Sequence, residues 1–341
     1  MTSVLIVGPS WVGDMVMAQS LLKALRARNP DTVGDVLAPP WSEPLLSRMP
    51  EVRRAIPMPV GHGELGLAAR YRLGRRLSRE GYDQAIVLPN SFKSAVIPFL
   101  ARVPRRTGYV GECRWGLLND ARRLDKTRLP MTVQRFVALG DAQTDPVERI
   151  PAPELRVAPE SVAKALGRLS LEAPGGPLLA LCPGAEYGPA KRWPAEYFAQ
   201  IARSRLRQGW QVWLFGSARD NEAAATVEDL AGEGCVNLTG RTELGEAVDL
   251  LSLASAVVSN DSGLMHVAAA LSRPVVALYG SSDPGFTPPL TEKAEILSLG
   301  LSCSPCFQRT CPLGHLNCLR QLPPARVDAA IDRLAALPCV S

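Results

Sequence analysis

No stretch of this chain approaches the roughly 20 uninterrupted apolar residues of a membrane-spanning helix. Its start, MTSVLIVGPS, has no basic residue ahead of an apolar block. A signal peptide is therefore not expected, and the cytoplasm is the expected location. Internal repeats and low-complexity tracts are missing. Neither half carries the G-x-G-x-x-G fingerprint, which argues against a dinucleotide oxidoreductase. Aromatics are few, at 6%, but 46% hydrophobic and 21% charged residues make an ordinary folded protein. At 341 residues the chain is long for one domain and comfortable for two.

The net charge of +5 is unevenly placed. Residues 1–150 carry 22 Lys and Arg against 14 Asp and Glu, and the remainder carries 16 against 19. A basic first half suggests an anionic partner. Short apolar runs alternate with helical patterns, as in parallel α/β sheets. VLIV (4–7), DVLAP (35–39), AIPMP (55–59) and QAIVLPN (84–90) read as strands. Helices are predicted from about Asp14 to Arg28, over 67–81, and after residue 90. Near 141–160 the rhythm lapses into a Pro-rich linker. It restarts with PLLALCPG, QVWLFGS, CVNLTG, ASAVVSND and PVVALYGS as strands. The predicted domains are 1–160 and 161–322, followed by an amphipathic helix in 323–341.

Four junctions carry polar or flexible residues where a doubly wound sheet binds ligands. GPSWVGDM (8–15) has phosphate-loop glycine spacing, but Asp14 stands where that loop needs a lysine. Asp14 is then either a helix cap or a general base. PGAEYGPAKRWP (183–194) puts Lys191 and Arg192 beside a helix start, a natural anion site. In FGSARDNE (215–222), Gly216 and Ser217 permit close approach, and Asp220 or Glu222 can accept from ribose hydroxyls. SNDSGLMHVAAA (259–270) breaks a buried strand with Asn260, Asp261, Ser262 and Gly263, exposing helix N–H groups where a phosphate binds. His266 lies one turn further on.

Together these segments, with SNDSGLMHVAAALSRPVVALYGSSDP the most extended, resemble the bacterial ADP-heptose:lipopolysaccharide heptosyltransferases. The resemblance runs from about residue 4 to 336, and its wording favours the members that add the second inner-core heptose. It implies an α/β protein of GT-B architecture, with two Rossmann-like domains facing across a cleft. It also implies an inverting transfer, and a C-terminal helix that packs back on the first domain. By the same resemblance Asp14 is the base and Lys191 stabilises the departing diphosphate. Arg192, Gly216, Ser217, Glu222, Asn260, Asp261, Ser262, Gly263, Met265 and His266 would bind ADP-heptose. The acceptor would be a phosphorylated, Kdo-bearing lipid A core at the cytoplasmic face of the inner membrane. Lys93, Arg105, Arg106, Arg114, Arg122 and Arg123 are candidates for holding it. No cofactor is expected for the transfer.

CSPCFQRTCPLGHLNC spaces Cys303, Cys306, Cys311 and Cys318 as C-x2-C-x4-C-x6-C. The first pair has zinc spacing, and the later spacing departs from common fingers. A structural zinc and free thiols are the two readings. Two functional alternatives stand beside the leading one. The first is a related transferase of this fold acting on another acceptor, including the enzyme that adds the first heptose. The second is a basic nucleic-acid-binding protein with a zinc module. It is disfavoured because the arginines over 70–135 accompany no recognisable nucleic-acid fold.

Overall fold

The computed structural model describes residues 2–61, 63–141 and 150–336. The chain divides into two compact units, Met1–Leu155 and Arg156–Ser341. The first unit holds β1 (Thr2–Val7), β2 (Thr32–Ala38), β3 (Val52–Pro57), β4 (Gln84–Val87), β5 (Arg105–Tyr109) and β6 (Asp120–Arg122). They form one parallel sheet in the order β3-β2-β1-β4-β5-β6. The second unit holds β7 (Leu178–Cys182), β8 (Gln211–Leu214), β9 (Cys235–Asn237), β10 (Ala256–Asn260), β11 (Val275–Leu278) and β12 (Ala294–Leu297). Its sheet, also parallel, runs β12-β11-β10-β7-β8-β9. Numbered within each unit, both orders are 3-2-1-4-5-6, the doubly wound Rossmann arrangement. The order reverses between β1 and β4 in one sheet and between β7 and β10 in the other.

The sequence pattern explains the layering. LLALC, AVVSN and VVAL are buried at every position. Uninterrupted apolar runs of this kind suit strands covered by helices on both faces. In the first unit, helix Val12–Arg28 lies against helix Thr132–Gly140. Part of the expected linker is tied down as well. Buried Gln19 donates to the Glu154 carbonyl at 2.6 Å and accepts the Glu154 N–H at 2.9 Å. The division therefore falls at Leu155, and a helix starts at Pro159. Residues 142–149 of that linker lie outside the described residues.

RRTGY is β5, and Tyr109 is buried with its hydroxyl donating to the Arg135 carbonyl. The helix Pro324–Ala335 has its apolar face in the core of the second unit. Val327, Ala330, Ile331 and Leu334 join the core beneath β10 and β11. The charges agree with that placement. Arg205, 1% exposed, donates to Asp328 at 2.8 Å and Asp332 at 2.6 Å on that helix.

Candidate active site

The reversal between β7 and β10 gathers the donor-site candidates. After β7 the chain runs through PGAEYG into a short turn, Pro189–Lys191, and then helix Ala195–Arg207. Asn260, at the end of β10, locks this turn in place. Its amide donates to the Pro183 carbonyl at 2.7 Å and accepts the Trp193 N–H at 3.0 Å. Asn260 is thus fully buried and engaged at both ends of its amide. Trp193, buried beside it, donates its indole N–H to the Leu322 carbonyl.

The lock brings Lys191 to Asp261, with Nζ 2.5 Å from Oδ2. Asp261 is 6% exposed, so the pair is sheltered and its geometry fixed. Ser262 starts helix Gly263–Ala270 without a side-chain cap bond, and its hydroxyl lies 3.1 Å from that of Ser259. The leading N–H groups of that helix are left for another acceptor. His266 is buried one turn in. Burial pushes its imidazole down to about 4, against the opposing pull of Asp261. The ring is therefore neutral near pH 7. Met265 is fully buried, and the Tyr279 hydroxyl points at its sulfur.

The turn after β8 separates the two ribose candidates. Asp220 is buried, and its carboxylate accepts from the backbone and hydroxyl of Ser217, at 3.0 and 2.9 Å. Arg192 approaches it at 3.5 Å. A side chain at Gly184 would collide with that carboxylate, so the glycine is required there. Asp220 is thus occupied in building the turn. Glu222, in the first turn of helix Asn221–Ala231, is exposed and has no side-chain partner among the described residues.

Sequence reasoning missed three hydroxyls. Among the described residues, five buried side-chain polar atoms lack any hydrogen-bond partner. Four stand at the carboxyl edge of the second sheet: Arg192 Nε, Thr239 Oγ1, Ser281 Oγ and Ser282 Oγ. Orphaned polar atoms are costly in a folded interior, and their concentration at one edge makes that edge the candidate ligand site. The signals were present in LTG after β9 and YGSS after β11.

In the first unit, Asp14 occupies the first turn of helix Val12–Arg28 and is half-buried. The N-cap is Trp11. Asp14 is thus the third residue of the helix, which begins just past the carboxyl end of β1. The acceptor candidates scatter. Arg105 and Arg106 open β5 at the opposite edge of the sheet. Arg105 pairs with Asp120 at 3.0 Å, and Arg106 donates to the carbonyls of Leu117 and Val103. Arg114 is 2% exposed and donates to Tyr109, Pro89, Ser94 and Asn90, which makes it an internal brace. Arg122 pairs with Asp120 and bonds the Ala138 carbonyl. Only Lys93 and Arg123 stand at the carboxyl edge without a side-chain partner among the described residues. Exposed Trp11, Trp41, Phe92 and Trp115 lie on the segments that follow β1, β2, β4 and β5.

The four clustered cysteines lie in a segment with little regular structure. The Cys311 thiol is held below its usual range by the N–H groups of Leu316, Leu313, Gly314 and His315. Burial raises the Cys318 thiol, and the nearness of Cys303, Cys311 and Cys306 raises it further. Among the described residues, no three His, Cys, Asp or Glu side chains are gathered closely enough to hold a metal ion. Also among them, no helix is long and apolar enough to cross a membrane.

Comparison with known proteins bears on this site. Residues 70–317 match the family described as glycosyltransferase family 9 (heptosyltransferase). Lipopolysaccharide heptosyltransferase 2 of Salmonella typhimurium is 52% identical over 306 residues, 87% of this chain and 88% of that protein. The protein of the same name from Escherichia coli is 48% identical over 97% of this chain and 98% of its own. The solved structure of the Escherichia coli ADP-heptose lps heptosyltransferase II superposes with a TM-score of 0.86, at 44% identity and 98% coverage of each chain.

Proposed function

Since the chain belongs to glycosyltransferase family 9, the heptosyltransferases, we propose the following chemistry for its two carboxyl edges. The enzyme transfers a heptose from ADP-heptose to the first heptose of the lipopolysaccharide inner core, as a heptosyltransferase II. The donor's diphosphate lies against Lys191 and the leading N–H groups of helix Gly263–Ala270, with Ser262 and Gly263 at the turn. The observation that carries this reading is the set of orphaned hydroxyls at the same carboxyl edge as the Lys191–Asp261 pair. Glu222 holds the ribose, because Asp220 is already committed to Ser217. Gly216 leaves room for the nucleoside.

Asp14 takes the proton from the attacking acceptor hydroxyl as that oxygen bonds to the anomeric carbon. The carbon–phosphate oxygen bond breaks on the opposite side, so the centre inverts in one displacement. ADP departs with growing negative charge, and Lys191 with the N–H groups meets it. No cofactor is assigned to this step. Lys93 and Arg123, with the exposed aromatics beside them, receive the anionic, sugar-bearing acceptor at the cytoplasmic membrane face. The segment 303–318 is structural. Metal analysis of untagged protein decides between a bound zinc and four thiols.

The decisive assay is ADP release from ADP-heptose with cores carrying one heptose or none. Turnover only with the one-heptose core, abolished in Asp14→Ala while ADP still binds, is the expected result. Turnover with the heptose-free core would transfer the assignment to the enzyme that adds the first heptose.

A further inference from the structure

The donor edge has a charge problem. Lys191 is neutralised by Asp261 at 2.5 Å, and Arg192 stands 3.5 Å from Asp220. Arg219 pairs with Glu186. His266 is neutral because it is buried. The cations on the turns after β7 and β8 thus each already have a carboxylate. A nucleoside diphosphate brings two or more negative charges, and paired cations present little net field to it. Some other positive group must supply the balance.

The cysteine-rich segment provides one. It is laced to both turns of the donor edge. The Tyr187 hydroxyl donates to the Phe307 carbonyl at 2.7 Å, and the Ala190 N–H donates to the Arg309 carbonyl at 3.0 Å. The Phe307 N–H donates to the Ser281 carbonyl at 2.7 Å. The approach is close enough that a Cβ on Gly188 would lie 2.5 Å from the Arg309 carbonyl oxygen. This lacing sets the Arg309 guanidinium over the Tyr187 ring, 5.4 Å from its centroid, while Lys191 Nζ lies 5.0 Å from the same centroid. Two cations therefore share one aromatic ring. Arg309 is exposed and has no carboxylate partner among the described residues.

We propose that Arg309 is a further donor-binding residue, the unneutralised cation that engages the diphosphate of the nucleotide sugar, with Tyr187 holding it beside Lys191. The inference rests on the donor-site reading above. Arginine suits the task because its planar fork both stacks on the ring and bonds phosphate oxygens bidentately. It also gives the segment 303–318 a purpose, since the brace made by backbone groups carries this side chain to the site.

The test compares wild type, Arg309→Gln and Arg309→Lys for binding of ADP and of adenosine by calorimetric competition, and for KM of donor and acceptor. Arg309→Gln keeps the backbone brace and removes the charge. ADP affinity should fall about 10- to 100-fold, the range of a lost charge-assisted bond. Donor KM should rise in step, with adenosine affinity, acceptor KM and the thermal midpoint unchanged, and Arg309→Lys should recover part of the loss. If Arg309→Gln binds ADP as wild type does, the proposal is overturned and the donor site stands without it. Equal losses for ADP and adenosine would also overturn it, by showing a structural role alone. Wild type failing to bind ADP would remove the donor-site reading, and this inference with it.

Discussion

The two sheets have the same strand order and opposite habits at their carboxyl edges. In the second unit the edge is closed. Asn260 ties two turns together, Lys191 is clamped to Asp261, and Asp220 holds its own turn. In the first unit the edge is open. Lys93 and Arg123 stand unpaired by any side chain among the described residues, and Trp11, Trp41, Phe92 and Trp115 are exposed. On the proposed reading, one topology serves two kinds of ligand. A small, invariant nucleotide suits an edge whose polar groups are fixed in advance, because fixing them beforehand lowers the cost of binding. A large lipid-linked saccharide suits a broad edge with flexible cations and aromatic faces.

The comparison breaks most sharply at the two groups assigned to bond making and bond breaking. Asp14→Ala should lower kcat by about 10²–10⁴-fold, the usual contribution of a positioned base. ADP binding should survive, since Asp14 belongs to the first unit. Lys191→Ala should cost about 10²–10³-fold in kcat, as loss of a preorganised donor to a developing anion does. It should also weaken ADP binding, because Lys191 belongs to the edge assigned to the nucleotide. Steady-state kinetics with ADP calorimetry separates the two variants. If both lose ADP binding equally, the division of labour between the edges fails.

Within the first unit, the arginines grouped together by the sequence should separate. Arg114→Ala removes donors to carbonyls at Tyr109 and Pro89 in the interior. A stability loss on the order of 3 kcal/mol is expected, because those acceptors are left unpaired. Arg123→Ala touches nothing internal. Its expected effect is a rise in acceptor KM of roughly two- to fivefold, the scale of an exposed ion pair, which shrinks in high salt. Chemical denaturation and acceptor KM at two ionic strengths check both outcomes. A stable Arg114→Ala protein with a raised acceptor KM would put Arg114 back among the binding residues.

How far the sequence could be read follows from the kind of force at each position. The buried strands of both units were legible because uninterrupted apolar runs between turn residues have few other uses. β12 went unseen, since AEIL carries a charge in a four-residue strand. β5 was missed because its opening arginines hide a short strand that only the pairing with β4 reveals. The Lys191 and Asp261 turns were legible as anion sites, but their mutual pairing was not. It depends on Asn260 joining segments far apart in the chain. The same limit hid Arg309, whose relevance comes from a backbone bond to Ala190 across more than a hundred residues. Type of residue and local spacing show what a position can do. Long-range pairing decides which residues are free to do it.

His266 provides the last prediction, since its titration shows whether the second edge is as closed as described. Burial lowers its pKa from about 6.5 in the unfolded chain to about 4 in the folded one. Below pH 6.5 the unfolded state binds a proton that the folded state refuses, so this site works against folding as pH falls. Its contribution is therefore fully present above pH 6.5 and is lost progressively between about 6.5 and 4. Removing the titration with His266→Gln should flatten the fall of the thermal midpoint over that window, even if the substitution lowers the midpoint everywhere. An unchanged slope would mean that water reaches the imidazole, and with it the neighbouring Lys191–Asp261 pair. The edge would then be open, and the contrast with the first unit would shrink to one of composition.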